Sequence, residues 1–198
     1  MKVLIVPEDF SKDQFILKPL FSRLLASIGK PRAKVRVCRD PLLGGIDEAL
    51  KAERIAEIVD RYGDKVRVII LCVDRDGKPG RRLRLDNIER EMERRIETTF
   101  ADGLDFLAAD AWEEIEAWVL AGLELPGDWR WTVVRAEVQV KERYFDRLAN
   151  SLGLAEDHGG GRERLGNVAA RRVNVIRQKC PEDFDYLAQR LEAIFRRN

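Results

Sequence analysis

Val66-Arg67-Val68-Ile69-Ile70-Leu71-Cys72-Val73-Asp74-Arg75-Asp76-Gly77 is the most apolar run of the chain, and it stops at two acids and a glycine. An unbroken row of β-branched and aliphatic residues that ends in turn residues predicts a buried central strand over 66–73, followed by a loop. In a parallel α/β sheet the carboxyl edge of such a strand is where ligands bind. Asp74 and Asp76 are two residues apart, so on extended backbone their carboxylates share one face. Two carboxylates that close repel each other unless a cation lies between them. Hard oxygen ligands suit Mg²⁺ or Mn²⁺. The competing interpretation is an acidic turn closed by Asp76-Gly77. The apolarity of the strand and the rule for parallel sheets favour the metal site.

Working outward, residues 3–6 predict a first strand and 12–28 a helix, with a stripe of Phe15, Ile16, Leu20, Leu24, Leu25 and Ile28. Pro19 either bends this helix or marks its start. A second strand is expected over 34–38, a helix over 46–62, a charged helix over 86–97 and a fourth strand over 104–108. A helix follows from Asp110 to Gly122. This β-α-β-α-β-α-β-α order indicates a parallel sheet with helices on both faces. Beyond the turn cluster Leu125-Pro126-Gly127-Asp128, helices are expected over 138–152, 164–179 and 182–196. We therefore divide the chain into an α/β domain, 1–124, and a helical C-terminal extension, 125–198, packed on the same domain.

The 198 residues suit one domain with a small appendage, and 45% hydrophobic content supplies a single core. Charged residues make up 36%, yet they nearly cancel to +1, which argues for local basic patches over a global nucleic-acid clamp. Cys38, Cys72 and Cys180 stand far apart, so neither a zinc knuckle nor a disulfide framework is indicated. No stretch approaches the ~20 apolar residues of a membrane helix. Met1 to Val6 reads as a strand and not a leader, and a reducing cytoplasm is the expected compartment.

Glu8 follows the first strand as Asp74 and Asp76 follow the third, so the three acids can converge where parallel strands end side by side. Here the sequence resembles the TOPRIM fold of topoisomerases, primases, small ribonucleases and overcoming-lysogenization-defect type nucleases. More closely, it resembles a group of small TOPRIM-like proteins often encoded beside ABC-type ATPases in bacterial defence loci. The resemblance is carried by Val6-Pro7-Glu8 through Phe15, by Val73 to Gly77, by Glu114 to Ala121, and by His158 to Leu191. Asp9 stands where such proteins usually carry glycine, giving either a wider loop or an extra carboxylate facing the metal.

The resemblance implies an α/β, TOPRIM/Rossmann-like sheet and a Mg²⁺- or Mn²⁺-dependent nuclease. It implies that Glu8, Asp74 and Asp76 bind the metal, with Glu8 a ligand or base, and that Glu116 is a further catalytic acid. Lys12, Arg75 and Lys78 flank the acids and can neutralise phosphate. Arg171 and Arg172 belong to a basic cluster with Arg162, Arg164, Arg177 and Lys179, read either as a nucleic-acid track or as a solvated face. Implied partners are nucleic acid, DNA ahead of RNA, and an ABC-type ATPase, with oligomers open. Glu113 and Glu114 are expected on a solvated helix face, and His158 in an exposed loop. Two other functions compete with this one. One is a haloacid-dehalogenase-type phosphatase, disfavoured because its D-x-D-G loop follows the first strand. The other is a non-catalytic binding subunit of an ATPase complex.

Overall fold

A computed structural model describes residues 1–100 and 103–197. Its elements are β1 (Lys2–Pro7), α1 (Phe10–Ser27), β2 (Lys34–Val37), α2 (Ile46–Ala49), α3 (Ala52–Tyr62), β3 (Val68–Asp74), α4 (Arg81–Thr99) and β4 (Asp105–Ala111). Helices α5 (Glu116–Gly122), α6 (Trp131–Arg135), α7 (Asp146–Ser151), α8 (Arg162–Ala170), α9 (Val173–Lys179) and α10 (Tyr186–Arg196) follow. The four strands form one parallel, Rossmann-like sheet in the order β2-β1-β3-β4.

Alternation along the strands splits the core into two layers. Val3, Ile5, Val68, Ile70 and Cys72 face α1, α5 and the C-terminal helices. Leu4, Val6, Ile69, Leu71 and Val73 face α3 and α4. The apolar run at 68–73 is continuous because both faces of β3 are covered. From β1 the chain passes by α1 along one face to β2, then returns by α2 and α3 along the other face to β3. The order therefore reverses between β1 and β3, the crevice where open α/β sheets place their ligands. Among the described residues, no helix is long and apolar enough to cross a membrane.

Several boundaries differ from expectation. Helix α1 starts at Phe10, because Asp9 caps it: its carboxylate accepts from the Ser11 amide at 2.8 Å. Pro19 lies within α1 without ending it. Proline removes the bond to the Phe15 carbonyl, and at that carbonyl α8 makes its approach, so close that a Cβ added at Gly166 would stand 2.8 Å from the Phe15 oxygen. The expected helix over 46–62 breaks at Lys51, which is extended (φ −94°, ψ 117°). On a continuous helix Ile46 and Ile55, nine residues apart, would lie about half a turn from each other; the break lets Ile46 and Ile55 pack against the same side of the core. Strand β4 runs on to Ala111, pairing Asp110 with Val73, so the helix expected from Asp110 starts only at Glu116. Glu113 has φ +65°, which a helix does not allow. In the extension, 164–179 is two helices and 182–196 opens with a π-type turn at Pro181–Asp185. The extension shares one continuous core with the sheet, through Trp118, Phe145, Phe184 and Leu191.

Candidate metal centre

Adjacent strand ends build the floor of the site. The Asp74 amide donates to Glu8 Oε2 at 3.3 Å, so β1 and β3 are joined at their carboxyl ends through an acid. Asp74 Oδ1 accepts from the Ile115 amide at 2.8 Å, which ties its carboxylate to the turn before α5. The next residues reverse sharply: Asp76 has φ +51° and Gly77 φ +62°. Such left-handed backbone costs a non-glycine residue about 1–2 kcal/mol and persists only when its surroundings hold it.

The holder is Glu113. Its carbonyl accepts from the amides of Arg75 (2.8 Å) and Asp76 (3.1 Å), and its Oε2 accepts from the Gly77 amide at 2.5 Å. Glu113 is only 8% exposed, so the solvated helix face expected for it is corrected. Glu114 is not on such a face either. It is half-buried and its Oε2 accepts from the Lys141 amide at 2.6 Å. Both differ for one reason: the segment after β4 is a tight turn clasping the Asp76 loop, not a helix.

This clasp brings one carboxylate oxygen from each of Asp74, Asp76 and Glu114 to within 4.8 Å of one another. Glu8 sits behind Asp74, and Asp13, on the first turn of α1, faces Glu8 and Glu116. Burial and crowding shift Glu8, Asp13, Asp74 and Glu114 upward. Glu8 rises to about 7 through burial, with the Asp76 charge adding to it and the Asp74 amide opposing. Asp13 rises to about 8 through burial and the charges of Glu116, Glu8 and Asp9. Glu114 rises to about 7 by burial, and Asp74 is pushed well above the carboxylate range by burial and by Glu116, Glu8 and Asp13. The donor set is three hard carboxylates without a softer ligand, which fits Mg²⁺ or Mn²⁺.

Glu116 lies beside this group yet is committed elsewhere. Its Oε1 accepts from Arg162 Nη2 at 2.6 Å and Nε at 3.0 Å, and both residues are buried, at 4% and 6% exposure. Asp9 Oδ1 is occupied as the α1 cap, and Asp9 is not among the three clustered acids. Arg75 lies over the Trp112 ring at 4.2 Å, and Lys78 lines a cleft with Asp76. Lys12 is exposed on the first turn of α1. Arg171 and Arg172 are not brought to the acids. They follow α8, about 13 Å along it from Arg162 at 1.5 Å per residue. Arg172 pairs with Glu124 at 3.4 Å, and Arg171 lines a groove with Lys18 and Arg23. His158 is exposed and meets Phe15 edge-on at 4.9 Å.

Sequence patterns give no sign of Asp13, Glu113, Arg162 or Asp183 as supports of this centre. Asp183 is buried, and its Oδ2 accepts from the Trp112 amide and from Trp118 Nε1, both at 2.7 Å. Arg135 Nη2 donates to the other oxygen, Oδ1, at 2.6 Å. No protein-family model, curated protein or solved structure matches the chain.

Proposed function

We propose that the protein is a metal-dependent hydrolase of nucleic-acid phosphodiesters, of the TOPRIM type. The observation that carries this is the meeting of Asp74, Asp76 and Glu114 within 4.8 Å at the carboxyl end of the β1–β3 crevice. Relative to the sequence expectation, Glu114 takes the third ligand position and Glu8 stands behind Asp74 as a proton acceptor. A divalent ion held by these acids would polarise a phosphoryl oxygen and acidify bound water. Glu8 Oε2, hydrogen-bonded to the Asp74 amide, keeps a second oxygen to take a proton. Arg75, spread on Trp112, presents a planar guanidinium that matches phosphate oxygens. Glu116 holds Arg162 and has a positioning role.

DNA as the substrate, control by an ABC-type ATPase and a setting in bacterial defence complete the proposal on the strength of the family resemblance. A cytoplasmic location agrees with three buried, free cysteines. The test is calorimetric titration of Mg²⁺ and Mn²⁺ into wild type and Asp74→Ala/Asp76→Ala, followed by incubation with single- and double-stranded DNA and RNA. Binding and cleavage lost together in the variant support the proposal. An ATPase complex that assembles and works equally well with the variant, with no cleavage by wild type, supports the non-catalytic binding subunit instead.

A further inference from the structure

Helix α4 begins in a way that is costly for an isolated helix. Its 19 residues open Arg81-Arg82-Leu83-Arg84, with no acid in the first turn and no side-chain cap at Gly80. Lys78 precedes it. The N-terminal end of a helix carries about half a positive charge, so it favours anions and disfavours this set of cations. The amides of Arg82 and Leu83 have no acceptor among the described residues.

Beside this end lies an open cleft of about 470 Å³, lined in part by Asp47, Asp76, Lys78, Gly80, Arg81 and Arg84. Arg81 is the decisive residue. It is only 7% exposed, its Nε is buried without a hydrogen-bond partner, and only Nη2 is engaged, with Asp76 Oδ2 at 3.2 Å. A buried guanidinium whose Nε has no acceptor is expensive unless something completes its hydrogen bonding. Two carboxylates face the cleft, but Asp76 is already shared between Arg81 and the acidic centre, leaving Asp47 against Lys78 and Arg84.

We infer that this cleft is a phosphate-binding site. Free helix amides, a buried fork-shaped donor and the two exposed cations Lys78 and Arg84 match a tetrahedral oxyanion. The site borders Asp76, so it takes the phosphate next to the one at the acids on a polynucleotide; in that respect it rests on the function proposed above. Binding of phosphate itself needs no metal.

The test uses inorganic phosphate with EDTA present, followed by ³¹P line broadening on the full chain. Wild type is expected to broaden the signal saturably. Lys78→Ala/Arg84→Ala changes two exposed side chains and leaves the buried core intact; it is expected to weaken binding by about tenfold or more, from loss of two charge-assisted contacts. Lys18→Ala/Arg23→Ala, in the groove between α1 and α8, is expected to bind as wild type does. Asp74→Asn/Glu114→Gln is expected to lose Mn²⁺ while retaining phosphate, which separates a failure of this site from a failure of the metal centre. Absence of saturable broadening by wild type, or equal binding by Lys78→Ala/Arg84→Ala, overturns the assignment. Oligonucleotides then compete in EDTA. Displacement by 5′-hydroxyl and 5′-phosphorylated strands alike supports a diester occupant, and displacement by phosphorylated strands alone supports a terminal phosphate. Displacement by neither overturns the link to nucleic acid.

Discussion

Replacing Asp13 by asparagine removes one charge from the acid group without removing a hydrogen bond. Asp13 Oδ2 accepts from the Asp9 amide at 3.1 Å, and an asparagine Oδ1 can do the same. In the folded, metal-free protein Asp13 titrates at about 8, against 3.8 when unperturbed. A folded pKa above the unfolded one means that the folded state holds the proton longer, so stability falls as pH rises between the two values. The slope is at most one proton, or 1.36 kcal/mol per pH unit. From pH 5 to pH 8 that gives a ceiling of about 4 kcal/mol. Asp13 shares its field with Glu8 and Glu116, and it keeps partial contact with water, so about 2 kcal/mol is expected. Asp13→Asn should thus match wild type near pH 5 within experimental error once the common baseline is set. It should exceed wild type by about 2 kcal/mol at pH 8. Urea unfolding in EDTA at the two pH values measures this directly. Saturating Mg²⁺ should shrink the gap, because an ion at Asp74, Asp76 and Glu114 offsets the same field. Parallel pH dependences for wild type and Asp13→Asn would refute the picture of a strained carboxylate group.

Arg162→Met leaves Glu116 buried without its partner and should cost about 3–5 kcal/mol, roughly a 10 °C loss in melting temperature for a chain of this size. Adding Glu116→Gln should recover part of it, and a cycle of the four proteins that shows no coupling would dismiss the ion pair. Glu113→Ala frees the Gly77 amide from its carboxylate acceptor, while the carbonyl that takes the Arg75 and Asp76 amides stays, and should weaken Mn²⁺ binding severalfold while lowering stability by about 1–2 kcal/mol; unchanged metal affinity in calorimetry would count against the clasp. Gly166→Ala places a Cβ 2.8 Å from the Phe15 carbonyl and should destabilise by about 1–3 kcal/mol, read from the urea midpoint.

The sheet was legible because its determinants are local. Both-face burial of β3 leaves an unbroken apolar run, and the β-α alternation leaves no other simple arrangement than parallel strands. The convergence of Glu8 with Asp74 also followed, since adjacent parallel strands end together. What the sequence conceals is set by backbone that breaks a periodic pattern. Trp112 to Ile115 has helical spacing with α5, yet the positive φ of Glu113 turns it into a clasp, and this exchange replaces Glu8 by Glu114 in the closest trio. Lys51 hides its break in the same manner, within a stripe that looks continuous. Arg162 and Asp183 are invisible for a different reason: charged residues in amphipathic helices read as solvated unless the partner they meet is known.

Those two residues explain why the C-terminal extension is part of the site. The acids at β1 and β3 sit at the ends of strands, but Glu113 and Glu114 sit on the turn between β4 and α5, which has no sheet partner beyond Ala111, and Glu116 opens α5. Asp183 anchors the turn at its start through the Trp112 amide, and Arg162 anchors it at its end through Glu116. Lys141, ahead of α7, takes the Glu114 oxygen between them. Three contacts from three parts of the extension thus hold one four-residue turn. Removing the extension would leave the sheet's own ligands, Asp74 and Asp76, and release Glu114, so a fragment ending near Leu125 should lose metal affinity even under conditions where its sheet folds. On the function proposed above, the extension serves the chemistry by holding this turn in place, since the three clustered acids all lie outside it.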